Sequence, residues 1–387
     1  MPPCRRPPVW LIAALAGAAC VATGALPWHD AVSTTDRVGP ILGFLVAITV
    51  VAELADVAQV FDVAAQRAAV VGRGHTRRLF GLVLVLGTFT TIVLSLDTTA
   101  VLLTPVVLAL ASRLRLSPLP FAMAAVWLAN TASLLLPVSN LTNLLAVNRL
   151  HMSAFSFASR MWLPALVSVL ITAGVLSVAY RRELRGRYEM SEAIVVENPL
   201  LFRISAIVCL AVAPFFVTGI PVWMTATTAA VALVVVFAFR APGRLKLSLL
   251  PWRLVLLVEG LFLFIATLDA HFLEKLLGHL AGHSGSTIGV LRTAGVGAGA
   301  SNLANNLPSY LALEPVADGR HDQLFGLLLG TNLGPLVLLW GSLATLLWRE
   351  RCKARGIHVT AWEFARLGLI GVPLLLLASW GSLLVTG

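Results

Sequence analysis

The sequence predicts an all-α polytopic membrane protein built from two inverted repeats, each with a re-entrant hairpin and a broken transmembrane helix. The first observation is composition: 58% of the 387 residues are hydrophobic, 12% are charged, and the mean hydropathy is +0.89. Charged residues make up about 25% of a soluble domain, so this chain is not a soluble globular protein. The other two observations are a polar stretch inside an apolar run and a second copy of that stretch later in the chain.

The polar stretch covers residues 130–143. Pro137 removes a helical hydrogen bond there, and four polar side chains follow it: Ser139, Asn140, Thr142 and Asn143. In hydrocarbon an unsatisfied backbone group is costly, so such a segment is tolerated only where protein encloses it or where it lines a wet cavity. The stretch therefore indicates a substrate site.

The second copy aligns with the first at a constant offset, which pairs residues 130–145 with residues 332–347. A further polar interruption precedes each copy, at residues 95–99 and at residues 301–308. Two halves that each contain two interrupted hydrophobic segments are typical of transporters built from repeats. Ordinary full spans with glycine and proline kinks are the alternative interpretation.

The spans follow from window length, because about 20 apolar residues fit roughly 30 Å of hydrocarbon. The predicted full spans are residues 9–26, 38–58, 160–180, 200–218, 221–239, 252–270 and 366–386. The predicted broken helices are residues 119–150 and 323–348, and the predicted hairpins are residues 79–112 and 287–316.

Basic residues predict the orientation. Arg77 and Arg78 precede the first hairpin and Arg113 and Arg115 follow it, so both of its ends are expected in the cytoplasm. The second hairpin has few basic residues near its ends and is expected to enter from outside. With the N-terminus cytoplasmic and the C-terminus outside, most of the 28 Lys and Arg residues lie on the cytoplasmic side of a plasma membrane.

This threading divides the chain into four parts. They are an N-terminal helix with an outer loop (1–37), a first transporter repeat (38–180), a cytoplasmic connector with linking helices (181–251) and a second, inverted repeat (252–387). Arg5 and Arg6 before an apolar run also resemble a signal peptide, and the sequence leaves open whether the first helix is cleaved. No phosphate-binding loop for ATP is present in the sequence.

The net charge of +10 could suggest nucleic-acid binding, but the basic residues lie in short clusters between apolar runs and serve orientation instead. The four cysteines are far apart and have no ligand spacing, so neither a disulfide framework nor a cofactor is predicted. Three histidines, His271, His279 and His283, could hold a metal, but the glycines between them favour a solvated loop.

Ionisable residues inside a membrane are costly and are functional candidates by default. Asp97 lies at the predicted tip of the first hairpin, flanked by Thr98 and Thr99, and we expect it to load and release a proton. Its alternative role is to cap a helix, and the two roles are compatible. Glu259 lies within its span and is a second candidate for a proton relay, whereas Asp269 is expected at the outer surface.

The remaining candidates are amides and hydroxyls that concentrate at the four breaks. They are Thr98, Thr99, Asn130, Thr131, Ser139, Asn140, Thr142 and Asn143 in one half, and Asn302, Asn305, Asn306, Thr331, Asn332, Ser342 and Thr345 in the other. Some of them are expected to bond broken backbone, and others to face substrate. Together with helix N-termini they offer donors and acceptors but no Arg or Lys clamp, which suits a small neutral hydroxylated species.

Four segments carry a family resemblance: residues 96–105 (LDTTAVLLTP), 134–144 (LLLPVSNLTNL), 305–308 (NNLP), and 330–335 (GTNLGP) with 342–348 (SLATLLW). They resemble the bacterial arsenite/antimonite efflux permeases of the ion transporter superfamily. The resemblance implies a secondary carrier, not an enzyme, that exports arsenite or antimonite as the neutral trihydroxide in exchange for protons. It also implies a soluble ATPase subunit in some members, and the sequence leaves the oligomeric state open, a homodimer included.

Carried onto this chain, the resemblance makes Asp97 the coupling acid. The polar groups that it implies for substrate are Ser139, Asn140, Thr142, Asn143, Asn305, Asn306, Asn332 and Ser342. The chain departs from the family at the first tip, where Leu-Asp-Thr-Thr replaces the more usual Asn-Asp-Gly-Ala. The alternatives are therefore a dicarboxylate or sulfate symporter, or a sodium/proton antiporter, of the same superfamily.

Overall fold

The computed structural model describes residues 9–189, 195–216, 218, 220–268, 287–317 and 321–386. Asp269, His271, His279 and His283 lie outside the described residues. In the part of the chain that is described, helices dominate, and seven of them are long and apolar enough to cross a membrane. The predicted all-α polytopic class is confirmed.

The first half contains helices α1 to α8. They are α1 Val9–Ala22, α2 Trp28–Val57, α3 Val60–Gly72, α4 Thr76–Leu94, α5 Leu96–Arg113, α6 Pro118–Thr131, α7 Leu141–Leu150 and α8 Ala154–Ala179. Helices α4 and α5 form the first hairpin, and α5 contains a π-helical turn at Thr99–Leu103. Helices α6 and α7 are the two parts of the first broken helix, with the break at residues 132–140.

The second half contains helices α9 to α16. They are α9 Pro199–Phe215, α10 Val222–Arg240, α11 Trp252–Leu268, α12 Thr287–Ala304, α13 Asn306–Leu313, α14 His321–Leu333, α15 Leu343–Ala354 and α16 Ala361–Val385. Helices α12 and α13 form the second hairpin. Helices α14 and α15 are the two parts of the second broken helix, so the order of elements in the first half recurs here.

Several helices differ from the sequence prediction. Helix α2 begins at Trp28 rather than at residue 38, and α8 begins at Ala154 rather than at residue 160. Ser153 caps α8 by accepting a 3.0 Å bond from the Ser156 amide. Hydropathy windows exclude such polar first turns, and they also pass over α3, because Asp62 and Arg67 interrupt its apolar sequence.

Both broken helices restart in the same way. Asn140 precedes α7 with φ −149° and ψ 139°, and its side chain accepts from the Thr142 amide at 3.2 Å. Ser342 precedes α15 with φ −140° and ψ 159°, and its hydroxyl accepts from the Thr345 amide at 3.1 Å. These two residues correspond at the offset read from the sequence, so an N-cap is the local reason that each helix resumes there.

The second repeat has a glycine seam between α12 and α14. The seam consists of three glycines at every fourth position of the chain: Gly326, Gly330 and Gly334. A Cβ added to Gly326 would lie 2.5 Å from the carbonyl oxygen of Val290, and one on Gly334 would lie 2.5 Å from Cα of Ala298. The two helices therefore meet backbone to backbone, as small residues permit in membranes.

The matching contact in the first repeat, between α4 and α6, is made by side chains. Leu128 corresponds to Gly330, and a Cβ added to Gly87 of α4 would lie 2.9 Å from Cδ1 of Leu128. In the first repeat the Leu128 side chain therefore fills the space between the two helices, whereas in the second repeat the glycines let the two helices approach each other.

Helix α1 packs along α11, at the start of the second repeat. A Cβ added to Gly17 would lie 2.7 Å from the carbonyl oxygen of Gly260, and a Cβ on Gly260 would meet the backbone of Ala13. Neither helix could carry a larger residue here without moving apart from the other.

Candidate functional site

Both hairpins reverse direction at a residue with an unusual backbone conformation. Ser95 ends α4 with φ 107° and ψ 164°, and Asn305 ends α12 with φ 92° and ψ 153°. This region of φ and ψ is nearly exclusive to glycine and costs about 1–3 kcal/mol for other residues. Strain of this kind concentrates at functional sites, and here it marks corresponding positions of the two repeats.

Each hairpin tip contacts the second part of the broken helix in the opposite repeat. Helix α5 of the first hairpin packs on α6 and on α15, and α6 and α15 also contact each other. Helix α13 of the second hairpin packs on α14 and on α7, which contact each other in the same way. The structure therefore has two related three-helix junctions, and the predicted polar residues gather at them.

The hydroxyls at the first tip bond to one another and to backbone. The Thr99 hydroxyl donates to the Ser95 carbonyl oxygen at 3.1 Å and lies 2.9 Å from the Thr91 hydroxyl. The Ser95 hydroxyl donates to Oγ1 of Thr98 at 3.2 Å. Thr98 and Thr99, which the sequence predicts as substrate ligands, thus hold the shape of the tip.

Asp97 is the exception at this tip. Its Oδ1 is enclosed and has no hydrogen-bond partner in the described part of the chain, and no ion pair among those residues includes it. A buried polar atom without a protein partner is rare and is typical of groups retained for function. Asp97 lies in the first turn of α5, where the positive end of the helix favours a carboxylate.

Asn130 is another residue of this junction with an unpaired polar atom. It is fully buried in α6, and its Nδ2 donates to the Val126 carbonyl oxygen of the preceding turn at 2.9 Å. Its Oδ1 finds no partner among the described residues. At the start of α15, the hydroxyls of Ser342 and Thr345 are 2.7 Å apart and both are fully buried. Asp97, Asn130, Ser342 and Thr345 are carried by the three helices that pack at this junction, and we call the four residues the acid site.

The corresponding junction of the other repeat is a closed network. Oδ1 of Asn332 accepts from Nδ2 of Asn140 and from the Thr142 hydroxyl, each at 2.8 Å, and Nδ2 of Asn332 donates to Oδ1 of Asn143 at 2.8 Å. Nδ2 of Asn143 donates further to the carbonyl oxygens of Ser133 and Leu136 at the break. We call Asn140, Thr142, Asn143 and Asn332 the amide site.

The amide site connects the repeats, because Asn332 belongs to α14 and its three partners belong to α7 or to its N-cap. All four residues are almost completely buried, and the amides of Asn143 and Asn332 use both their oxygen and their nitrogen. In this structure these predicted substrate ligands are bonded to one another.

Other predicted residues bond to backbone near the breaks. The Ser139 hydroxyl donates to the Ile92 carbonyl oxygen of α4 at 2.8 Å. Asn302 donates to the Gly334 carbonyl oxygen at 2.7 Å and accepts from the Leu338 amide at 2.9 Å. Asn305 donates to the Trp340 carbonyl oxygen at 3.1 Å. These bonds connect each hairpin to the break in its own repeat.

Asn306 begins α13 and is buried, and Leu307 follows it where the first tip has an acid. The second tip therefore presents amides where the first presents Asp97.

Glu259 lies apart from both junctions. Its Oε1 accepts from the Thr35 hydroxyl at 2.7 Å, and its Oε2 is buried and has no partner among the described residues. Helix α11 carries it against α1 and α2, so the structure does not bring it together with Asp97.

Sequence reasoning did not identify two residues beside these sites. The indole nitrogen of Trp340 donates to the Asn302 carbonyl oxygen at 2.8 Å, which closes the second break. Trp127 is fully buried one turn before Asn130, and its Nε1 has no partner in the described chain. A tryptophan inside an apolar run leaves no compositional mark, so only the structure could reveal these two.

The sequence matches the family described as citrate transporter over residues 5–345. It is similar to the arsenical pump membrane protein of Yersinia enterocolitica, at 30% identity over 84% of this chain and 81% of that protein. The arsenical pump membrane protein of Escherichia coli is 29% identical over 84% of this chain and 81% of its own length. The putative arsenical pump membrane protein of Bacillus subtilis strain 168 is 23% identical, over 79% and 78% of the two chains.

Among solved structures, the YdaH transporter of Alcanivorax borkumensis aligns with a TM-score of 0.61 and covers 98% of both chains. The sequence identity is 15%, so this likeness shows the fold alone.

Proposed function

Because the chain belongs to the citrate transporter family and, within it, to the group of arsenical pump membrane proteins, we propose that it exports arsenite or antimonite in exchange for protons. The substrate would be the neutral trihydroxide. A multi-pass membrane transporter is what the family and the apolar helices establish, and the substrate and the coupling ion are the proposal.

The observation that carries the proposal is the unpaired, buried Oδ1 of Asp97. A trihydroxide brings three O–H donors and no charge, so it needs acceptor oxygens. The acid site offers two such oxygens, on Asp97 and Asn130, together with the hydroxyls of Ser342 and Thr345. A multivalent anion such as citrate would need basic donors, and none of the four residues of the acid site is basic.

Exchange with protons follows from the chemistry of one carboxylate. An ionised Asp97 can accept a bond from a substrate hydroxyl, whereas a protonated Asp97 becomes a donor on one oxygen. Substrate and proton therefore compete for the same oxygen. If the substrate-loaded and the proton-loaded carrier can each reorient across the membrane and the empty carrier cannot, inward flow of protons drives outward flow of substrate.

The two junctions suggest how the carrier alternates. In the conformation described, the amide site is closed and the acid site has unpaired oxygens. We propose that in the opposite state the Asn332 network opens while Oδ1 of Asn130 accepts from the Ser342 or Thr345 hydroxyl. The two repeats would then exchange conformations, as expected of a carrier that alternates by moving one repeat against the other.

The cytoplasmic N-terminus, the external C-terminus, an ATPase subunit and a homodimer remain predictions. A cysteine placed before α1 or after α16 and labelled by an impermeant reagent would test the two terminal positions.

The test of function is uptake of arsenite and antimonite into everted vesicles, with and without an imposed proton gradient. We expect accumulation that needs the gradient in the wild type and is at least 100-fold lower in Asp97→Asn, which removes the titratable group but keeps its shape. Asp36→Asn is the matched control, because Asp36 is exposed and lies in the N-terminal third of α2, away from both junctions. It should transport as the wild type does.

Three results would contradict the proposal. Gradient-independent transport would remove the proton from the mechanism, and equal loss in both Asp→Asn variants would remove Asp97 from it. Wild-type vesicles that accumulate citrate, sulfate or sodium but neither arsenite nor antimonite would overturn the assignment of the substrate.

A further inference from the structure

An apolar groove lies on the outer face of the helix bundle, between α2 and α10. It has a volume of about 480 Å³, and its walls include Gly43, Val46 and Val50 on α2 and Val231 and Val235 on α10. A Cβ added to Gly43 would meet nothing within 4 Å, so the glycine leaves space that the protein does not fill. Neither the acid site nor the amide site contributes to this groove.

A polar cup lies at one end of the same helix pair. It has a volume of about 270 Å³, and its walls include Gln59, Glu197, Asn198 and Arg244. The groove is lined by residues 42–50 of α2 and 227–235 of α10, and the cup by residues 57–59 and 241–244 that follow them. Both helices run toward the cup, so the groove and the cup lie one after the other along the same helix pair, and we call the two together the seam.

The spacing of the groove and the cup suits one lipid. A helix rises 1.5 Å per residue, so the groove, at residues 42–50, lies roughly 12–24 Å from Ala58 of the cup along α2. Half of a hydrocarbon core of about 30 Å is roughly 15 Å, which is the depth that an acyl chain occupies in one leaflet. An acyl chain whose headgroup lies in the cup would therefore reach the near part of the groove close to the middle of the membrane.

The charges of the cup select the headgroup. Nη2 of Arg244 lies 3.1 Å from Oε2 of Glu197, and the two side chains are 58% and 72% exposed, so both can still bind a ligand. The Glu197 amide donates to Oε1 of Gln59 at 2.9 Å, which fixes the backbone of the cup. A guanidinium beside a carboxylate complements a phosphate beside an ammonium group.

We propose that this seam binds a phospholipid with an ethanolamine headgroup. One acyl chain fills the groove between α2 and α10, the phosphate bonds to Arg244, and the ammonium group bonds to Glu197. A glycerol headgroup offers no cation to Glu197, and a choline headgroup has no N–H to donate. The bound lipid covers the junction between the first repeat and the linking helices.

The first test uses the wild-type chain. The purified protein is reconstituted with phosphatidylethanolamine that carries a photoactivatable group at the middle of one acyl chain, and the labelled peptides are identified by mass spectrometry. We expect labelling of residues 42–50 and 227–235 at least fivefold above α8, whose face is also apolar. Equal labelling of all apolar faces would overturn the proposal.

The second test is native mass spectrometry of the protein in detergent with equal amounts of ethanolamine, glycerol and choline phospholipids. Gly43→Leu fills the groove and should lower bound ethanolamine lipid roughly tenfold, whereas Gly174→Leu on α8, which also meets open space, should not change it. Glu197→Gln should remove the preference for ethanolamine, and Arg244→Gln should weaken all three lipids roughly tenfold.

Two outcomes would replace the proposal. Lipid occupancy that is the same in Gly43→Leu and in the wild type would place the lipid elsewhere. A dimer that Gly43→Leu dissociates would show that a second copy of the chain, and not a lipid, occupies the groove.

Discussion

The acid site and the amide site occupy corresponding junctions of the two repeats, but one has unpaired oxygens and the other has none. Asn130 and Asn332 are related by the repeat, yet Asn332 makes three inter-residue bonds to α7 and its cap, while within the described part of the chain the Asn130 side chain bonds to its own helix alone. A symmetric fold thus holds one junction closed and leaves acceptors free at the other. The difference teaches that the repeat provides the architecture and that individual side chains decide which junction is ready for a ligand.

Asn332→Leu should give the largest effect. It leaves Nδ2 of Asn140, the Thr142 hydroxyl and Oδ1 of Asn143 buried without their partner, and each unsatisfied group costs roughly 1–3 kcal/mol. We expect loss of the folded protein, seen as loss of the monodisperse peak in size-exclusion chromatography. A variant that folds with an unchanged unfolding midpoint would show that the network does not hold the repeats together.

Asn130→Leu is the matched substitution in the other repeat. Its Oδ1 has no bond to lose, so we expect an unfolding midpoint within a few degrees of the wild type. Transport should still fall about tenfold, because one acceptor for the substrate hydroxyls disappears. Vesicle uptake over a range of arsenite concentrations measures this, and unimpaired uptake would remove Asn130 from the acid site.

Gly330→Ala and Leu128→Gly compare the contact between α12 and α14 with the corresponding contact between α4 and α6. The added Cβ would meet the backbone of Ala294, and forcing α12 from α14 should cost about 1–3 kcal/mol. Leu128→Gly at the corresponding position of the first repeat should be destabilising for the opposite reason, since it leaves a cavity between α4 and α6. Thermal unfolding of both variants tests this, and a Gly330→Ala protein as stable as the wild type would mean that the seam can open.

Asn305→Gly should give the smallest effect. Glycine removes the strain of φ 92°, about 1–3 kcal/mol, but it also loses the side-chain bond to Trp340 and adds entropy to the unfolded chain. We expect these terms to leave the unfolding midpoint nearly unchanged, whereas Asn305→Val should lower it clearly. Equal midpoints for glycine and valine would show that the tip does not keep this conformation.

The four breaks were predictable because they leave marks in composition. Pro137, Asn140 and Ser342 interrupt apolar runs, and the structure ends or restarts helices at these residues. The structure has Asp97 in the first turn of α5, and its role in coupling stays a prediction that rests on the cost of a carboxyl group inside an apolar run.

The pairing within the sites could not be predicted in the same way. Asn130 and Asn332 look alike in sequence, and their different bonds depend on how closely α6 approaches α15 and how closely α14 approaches α7. The proposed function of Glu259 in proton transfer likewise depended on depth alone, which says nothing of the neighbours that α1 and α2 provide.

The close approach of Gly17 to Gly260 also bears on how the protein is made. Helix α1 leaves the ribosome before α11, and this partner follows about 240 residues later, or roughly 10–50 s at 5–20 residues per second. During that interval its small-residue face is open to lipid or to the insertion machinery. Helix α1 thus waits for most of the chain to be made before it finds this neighbour, and the contact between them cannot form until α11 has entered the membrane.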